Sequence, residues 1–264
     1  MARWGTALVT GASAGLGEVF ARTLAAEGTD LVLVARDGDR LESLAGELRR
    51  TRGVEVEVLA ADLTAPVPRS WVEQRLGDPA RPIDLLVNNA GVGTFGRVKD
   101  LPLGCEDQEI QLNVVALVRL SATAVAAMVP RGTGTIVNVG SVAAVAPSPG
   151  AATYAATKSF VLSYTESLHE ELAGTGVGAT VCLPGLTPTE FHERSGELPP
   201  AGVPRLLWLS PQQVVTATLD AADAGRARVV PGGLYRTLVG VTELTPPGIR
   251  RRAAARARRR TRPD

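Results

Sequence analysis

Residues Trp4-Gly5-Thr6-Ala7-Leu8-Val9-Thr10-Gly11-Ala12-Ser13-Ala14-Gly15-Leu16-Gly17 run from a short apolar stretch straight into a glycine-rich turn. Residues 4–10 read as a buried strand. Glu18 to Gly28 follows with helical periodicity and stops on glycine, and Asp30 to Ala35 is a second apolar strand. Strand, glycine loop, helix and strand form the βαβ unit that binds dinucleotides. Glycines let the backbone turn sharply and approach a pyrophosphate, while the helix start offers unpaired N–H groups and a positive dipole end. The spacing here, Gly-x3-Gly-x-Gly, is one residue longer than G-x-G-x-x-G. A tight βα turn without ligand is the alternative.

The pattern continues outward from this unit. Strands are expected at 54–59, 84–87, 134–140, 177–183 and 227–230. Helices are expected at 39–50, 70–76, 105–128, 154–173 and 210–224. Seven strands alternating with helices give an α/β fold: a single Rossmann-fold domain over residues 1–245, with a doubly wound seven-stranded parallel sheet and helices on both faces. The proline-rich segment 186–210 lacks periodicity, and an insert of that length reads as a substrate lid. Its apolar members are Phe191, Leu198, Leu206, Leu207 and Trp208, with Phe95 as a further aromatic wall. Together they suggest an apolar pocket wall and a lipophilic substrate; packing the lid down is the alternative.

The end of the second strand bears on the cofactor. An acidic residue there would bond the adenosine ribose and repel a 2′-phosphate. This chain has Ala35 and then Arg36. A small residue leaves room, and a guanidinium suits a phosphate. NADP(H) is therefore preferred, with NAD(H) possible. Arg40 either assists or lies on a solvated helix face. Asp37 would weaken the preference if it faced the ribose in place of Arg36.

The chemistry centres on Ser141-Val-Ala-Ala-Val-Ala-Pro-Ser-Pro-Gly-Ala-Ala-Thr-Tyr154-Ala-Ala-Thr-Lys158. Tyr154 and Lys158 are four apart at the head of a helix, so they share a face. A neighbouring cation eases loss of the phenolic proton, which suits tyrosine to general acid/base work. A surface pair has the same spacing. Ser141 ends a strand and can reach the same point. Asn88-Asn89-Ala90-Gly91 ends another strand, at a ligand crevice or in a plain turn. Asn113 lies in an apolar helical run and needs a partner if buried.

In this order and at these spacings, Thr10-Gly11-x3-Gly15-x-Gly17, Asn88-Asn89-Ala90-Gly91, Asn113, Ser141, Tyr154-x3-Lys158 and Pro184-Gly185 make the chain resemble the short-chain dehydrogenases/reductases over residues 4–232. The resemblance implies roles. Tyr154 exchanges a proton with the carbonyl or alcohol oxygen, Lys158 tunes Tyr154 and holds the nicotinamide ribose, Ser141 holds the substrate oxygen, and Asn113 carries a water linking Lys158 to solvent. Gly11, Ser13, Ala14, Gly15, Leu16 and Gly17 would cradle the cofactor. Asp62 and Leu63 would meet the adenine, Asn89, Ala90 and Gly91 the central cofactor, and Pro184, Gly185, Thr187 and Thr189 the nicotinamide. The family's helices at 105–128 and 154–173 imply a homodimer or homotetramer. An NADP-binding regulatory protein without turnover is the competing reading.

Composition narrows the classes further. The chain has 264 residues and a net charge of +1. Residues 250–264 carry eight Arg against one Asp, which leaves the first 249 at about −6. The basic segment 246–264 is expected as a solvated, frayed tail with room for weak anionic contacts; neither nucleic acid nor membrane is expected as a partner. Only Lys99 and Lys158 are lysines. Cys105 and Cys182 are far apart, and no disulfide is expected. No apolar run is expected to reach bilayer-spanning length, and no targeting segment is seen, so the cytoplasm is the expected compartment. His169 and His192 read as surface residues and no metal site is expected.

Overall fold

The computed structural model describes residues 2–191, 204 and 207–261. Seven parallel strands form one sheet in the order β3-β2-β1-β4-β5-β6-β7, with β1 Thr6–Thr10, β2 Asp30–Ala35, β3 Val56–Ala60, β4 Leu85–Asn88, β5 Gly134–Val139, β6 Val177–Cys182 and β7 Arg228–Val229. The order reverses between β1 and β4. Chains leaving those two strands turn in opposite directions and open a crevice at their C-terminal ends.

Helices cover both faces, as the near-continuous apolar strands require. On one side, α1 Gly15–Ala26 and α2 Gly38–Arg52 bury Phe20, Leu24, Leu41 and Leu48 against Val9, Leu31 and Leu33 of the sheet. Val215 and Leu219 of α7, Pro211–Asp223, complete that layer. The opposite layer holds α3 Pro66–Leu76, α4 Leu103–Ile110, α5 Leu117–Met128 and α6 Ala152–Glu171. There Val72, Leu76, Leu120, Ala124, Met128 and Leu168 meet Leu8, Leu86 and Ile136. Helix α8, Gly233–Leu244, packs Tyr235 and Val239 inward.

Three expectations are corrected. The run 105–128 is not one regular helix: residues Gln111–Ala116 widen into a π-helical turn between α4 and α5. The helical stretch Leu103–Arg131, 29 residues, is also long and apolar enough to cross a membrane by length and composition, against the expectation of no such run. Its Leu117, Leu120, Ala124 and Met128 serve the core instead. The basic tail is helical over Pro247–Thr261 as α9, and the Arg250 guanidinium donates to the Val145 carbonyl at 3.0 Å.

Candidate active site

The glycine loop leaves β1 with Gly11 and Gly15 at φ of 66° and 58°, a region that only glycine enters without strain. Gly17 is pinned by space: a Cβ there would sit 2.1 Å from the Gly11 carbonyl oxygen and 2.6 Å from the Asn89 amide. Ser13, Ala14 and Leu16 fill in the loop and its junction with α1. Ala14 precedes α1 with extended backbone and no capping side chain, so the first N–H groups of the helix are left to a ligand. The cradle therefore fits a pyrophosphate.

Thr10, read from sequence only as part of a motif, locks the loop to β4. Its hydroxyl accepts the N–H groups of Asn89 and Ala90, each at 3.0 Å, and donates to the Val87 carbonyl at 3.2 Å. The Asn89 amide donates back to the Thr10 carbonyl at 2.9 Å. Asn88 points the other way, donating to Ser121 and Asn138 inside the core.

At the adenosine end, Asp37 is the N-cap of α2, accepting the Arg40 N–H at 3.0 Å. Its carboxylate is thus engaged in the helix start, while Arg36 is exposed. Arg40 pairs with Glu190 at 2.9 Å. Asp62 holds a turn after β3, accepting the Thr64 N–H at 2.9 Å and its hydroxyl at 2.7 Å. The Leu63 side chain is buried in the core, and its carbonyl accepts the Arg69 guanidinium at 3.1 Å.

Helix α6 carries Tyr154 and Lys158 on one face. Lys158 is buried and its ammonium donates to the Val139 carbonyl, at the end of β5, at 2.9 Å. Burial pulls Lys158 down to about 8; the Glu109 carboxylate acts to raise it. The ammonium lies 5.8 Å from the Tyr154 ring centroid. Two aromatic rings flank that tyrosine, Phe95 at 5.6 Å and Phe191 at 5.8 Å between centroids. Ser141 follows β5 and caps the turn Val142–Val145, accepting the Ala143 N–H at 3.1 Å.

Asn113 sits in the π-helical turn, fully buried. Its amide oxygen accepts the Val92 N–H at 3.0 Å, and its NH2 donates to the Val92 carbonyl at 2.8 Å and the Thr157 hydroxyl at 3.1 Å. The side chain is thereby committed to protein groups, so it does not itself hold the water implied for Asn113. Gly91 lies between Asn113 and Lys158: a Cβ there would be 3.2 Å from the Asn113 oxygen and 3.4 Å from the Lys158 nitrogen.

After β6, the Pro184 carbonyl accepts the Val142 N–H at 3.1 Å, which ties this loop to Ser141. Gly185 abuts the Tyr235 ring, and the Thr187 hydroxyl donates to the Gly185 carbonyl at 3.0 Å. Thr189 reaches over the glycine loop, its Cβ 3.3 Å from where a Gly15 Cβ would lie. Tyr235, which no local signal marks, accepts the Leu186 N–H at 3.0 Å and donates to the Leu207 carbonyl at 2.8 Å, gripping both ends of the expected lid. Leu198, Leu206 and His192 lie outside the described residues. His169 is half-buried rather than on the surface, with its Nδ1 2.9 Å from the Ala179 carbonyl. Among the described residues no His, Cys, Asp and Glu group has metal-ligand geometry.

A sequence profile of short chain dehydrogenases matches residues 5–198. The chain belongs to the short-chain dehydrogenase/reductase family. An uncharacterised oxidoreductase of Mycobacterium tuberculosis is 35% identical over 254 residues, 94% of this chain and 96% of that one. A solved short-chain dehydrogenase from Sphingobium yanoikuyae, in complex with NADPH, has a TM-score of 0.82 at 39% identity, covering 90% of this chain and 93% of that one. The bulky-bulky ketone specific alcohol dehydrogenase from Comamonas testosteroni has a TM-score of 0.77 at 33% identity, covering 92% and 95%. This short-chain dehydrogenase/reductase is therefore an oxidoreductase acting on CH–OH donors or the matching carbonyls.

Proposed function

We propose that the protein is an NADP(H)-dependent reductase of lipophilic ketones or aldehydes, with Tyr154 as general acid/base. One observation carries the reading: Tyr154 lies beside the buried ammonium of Lys158, with Phe95 and Phe191 packed on its ring. Bound NADPH would supply the hydride. Tyr154 gives the substrate oxygen its proton, and Lys158 stabilises the phenolate left behind. The Ser141 oxygen already accepts one N–H, so its hydroxyl proton is the part offered to the substrate oxygen. The glycine cradle and Arg36 orient the dinucleotide, and the NADPH held by the Sphingobium relative supports that cofactor choice. Aromatic walls favour a bulky apolar substrate, in line with the Comamonas enzyme's named preference. A regulatory protein without turnover has no use for an intact Ser141, Tyr154 and Lys158, and is not favoured.

The test is a panel of bulky ketones and aldehydes followed by NADPH absorbance, with Tyr154→Phe as control. Turnover lost in the variant while NADPH still binds supports the reading; full turnover in the variant refutes it. Exposed Leu103 and Ile110 on α4 and Phe160 on α6 further support self-association through these helices. Light scattering should then report a dimer or tetramer, and a monomer would refute that.

A further inference from the structure

Glu109 is a carboxylic acid with no solvent exposure, on a helix whose next turn serves the site. It precedes Asn113 by four residues, so both side chains leave the helix on one side. Both reach the same loop. Asn113 holds Val92 through N–H and C=O, and the Glu109 Oε2 accepts the Thr94 N–H at 3.0 Å. The second oxygen, Oε1, is buried without a partner among the described residues. The loop starts at Gly91, between Asn113 and Lys158, and runs on to Phe95, whose ring packs on Tyr154.

A sealed carboxylate is costly unless an opposite charge compensates it. Lys158, itself sealed and bonded to a neutral carbonyl, stands in the same cluster: a Gly91 Cβ would lie 3.2 Å from the oxygen of Asn113, one turn on from Glu109, and 3.4 Å from the Lys158 nitrogen, and the Lys158 charge acts on Glu109. We infer that Glu109 is a positioning residue for the reaction proposed above: one oxygen fixes the 92–95 loop against Tyr154, and its charge keeps Lys158 cationic in dry surroundings. Among the described residues, Tyr154 of α6 also faces Lys158, its ring centroid 5.8 Å from the ammonium. Cys182 of β6 faces Lys158, and burial pushes its thiol up to about 12, so it stays neutral. Glu106 of α4 faces Glu109 and accepts the Thr153 hydroxyl at 2.8 Å. Burial raises Glu109, while its bonds to Thr94 and the Lys158 charge act the other way.

The chain's lysine content makes the test direct. With only Lys99 and Lys158 present, 13C-labelled lysine gives two side-chain signals in the full-length protein, and exposed Lys99 is an internal reference. Glu109→Gln removes the negative charge and keeps the shape. The Lys158 midpoint should fall by on the order of one pH unit, Lys99 should not move, and Glu109→Asp should restore most of the wild-type value. The alkaline limb of reductive kcat/KM should move downward in pH with it. An unchanged Lys158 midpoint in Glu109→Gln overturns the inference even if activity drops, because a purely structural carboxylate would leave the lysine alone. If the glutamine variant does not fold, Glu109→Asn against Glu109→Asp gives the same comparison. The titration needs no turnover, so its failure leaves the assignment of Tyr154 standing, and loss of that assignment leaves the titration readable.

Discussion

Alanine at Gly17 and at Gly46 tests the cofactor cradle with one chemical change in two places. Both glycines lie in helices, α1 and α2. A Cβ at Gly46 meets nothing within 4 Å and the position is exposed, so Gly46→Ala should add about 1 kcal/mol from helix propensity. At Gly17 the same methyl lands 2.1 Å from the Gly11 carbonyl oxygen and 2.6 Å from the Asn89 amide, where ordinary contact begins at 3.4 Å. Separation of more than an ångström between backbone segments costs about 1–3 kcal/mol. It also breaks the 2.9 Å bond from Asn89 to the Thr10 carbonyl, about 1 kcal/mol more. After subtracting the helix gain, Gly17→Ala should lose about 2 kcal/mol. At roughly 2–4 °C per kcal/mol for a chain of this size, its melting midpoint falls by about 4–8 °C while that of Gly46→Ala rises by about 2–4 °C. Differential scanning fluorimetry reads both, and NADPH titration should show weakened binding only for Gly17→Ala. Midpoints that move in the same direction, or a Gly17→Ala protein as stable as wild type, would refute the close approach of loop and helix.

Two further outcomes follow from the site. Arg36→Ala should weaken NADP binding by roughly 10–100-fold, the worth of a charge-assisted contact of about 1.5–3 kcal/mol, and leave NAD nearly untouched; equal effects on both in calorimetry would rule out the phosphate contact. Lys158, held at about 8, is cationic below that pH and neutral above it, so reduction should slow as pH rises through about 8. A rate that is flat from pH 7 to 10 would contradict this.

Much of the fold was legible because its signals are local. Apolar strands flanked by glycine turns, such as Thr6–Gly11 and Val177–Gly185, declare a buried parallel sheet without long-range information. The placing of Tyr154 and Lys158 on one helix face and of Ser141 at a strand end was legible because strand ends and i, i+4 helical pairs fix where side chains point. What stayed hidden depends on partners distant in sequence. Tyr235 bonds residues 49 and 28 positions away. Glu109 reads as one more polar residue at the start of a helix until the 92–95 loop folds onto it. The π-helical turn at Gln111–Ala116 leaves the apolar pattern looking continuous, since one widened turn shifts the phase without a glycine or proline to mark it. The tail was open to a better reading: alanine and arginine are both strong helix formers, and α9 follows from propensity.

The account stands on a phenol that trades protons beside a buried ammonium. Single-turnover NADPH oxidation with an accepted bulky ketone, compared between wild type and Tyr154→Phe at saturating cofactor, measures that step alone. The expected result is loss of at least about 100-fold in rate with NADPH affinity unchanged, the scale of a lost general acid. A phenylalanine variant that reduces the ketone as fast as wild type would contradict it.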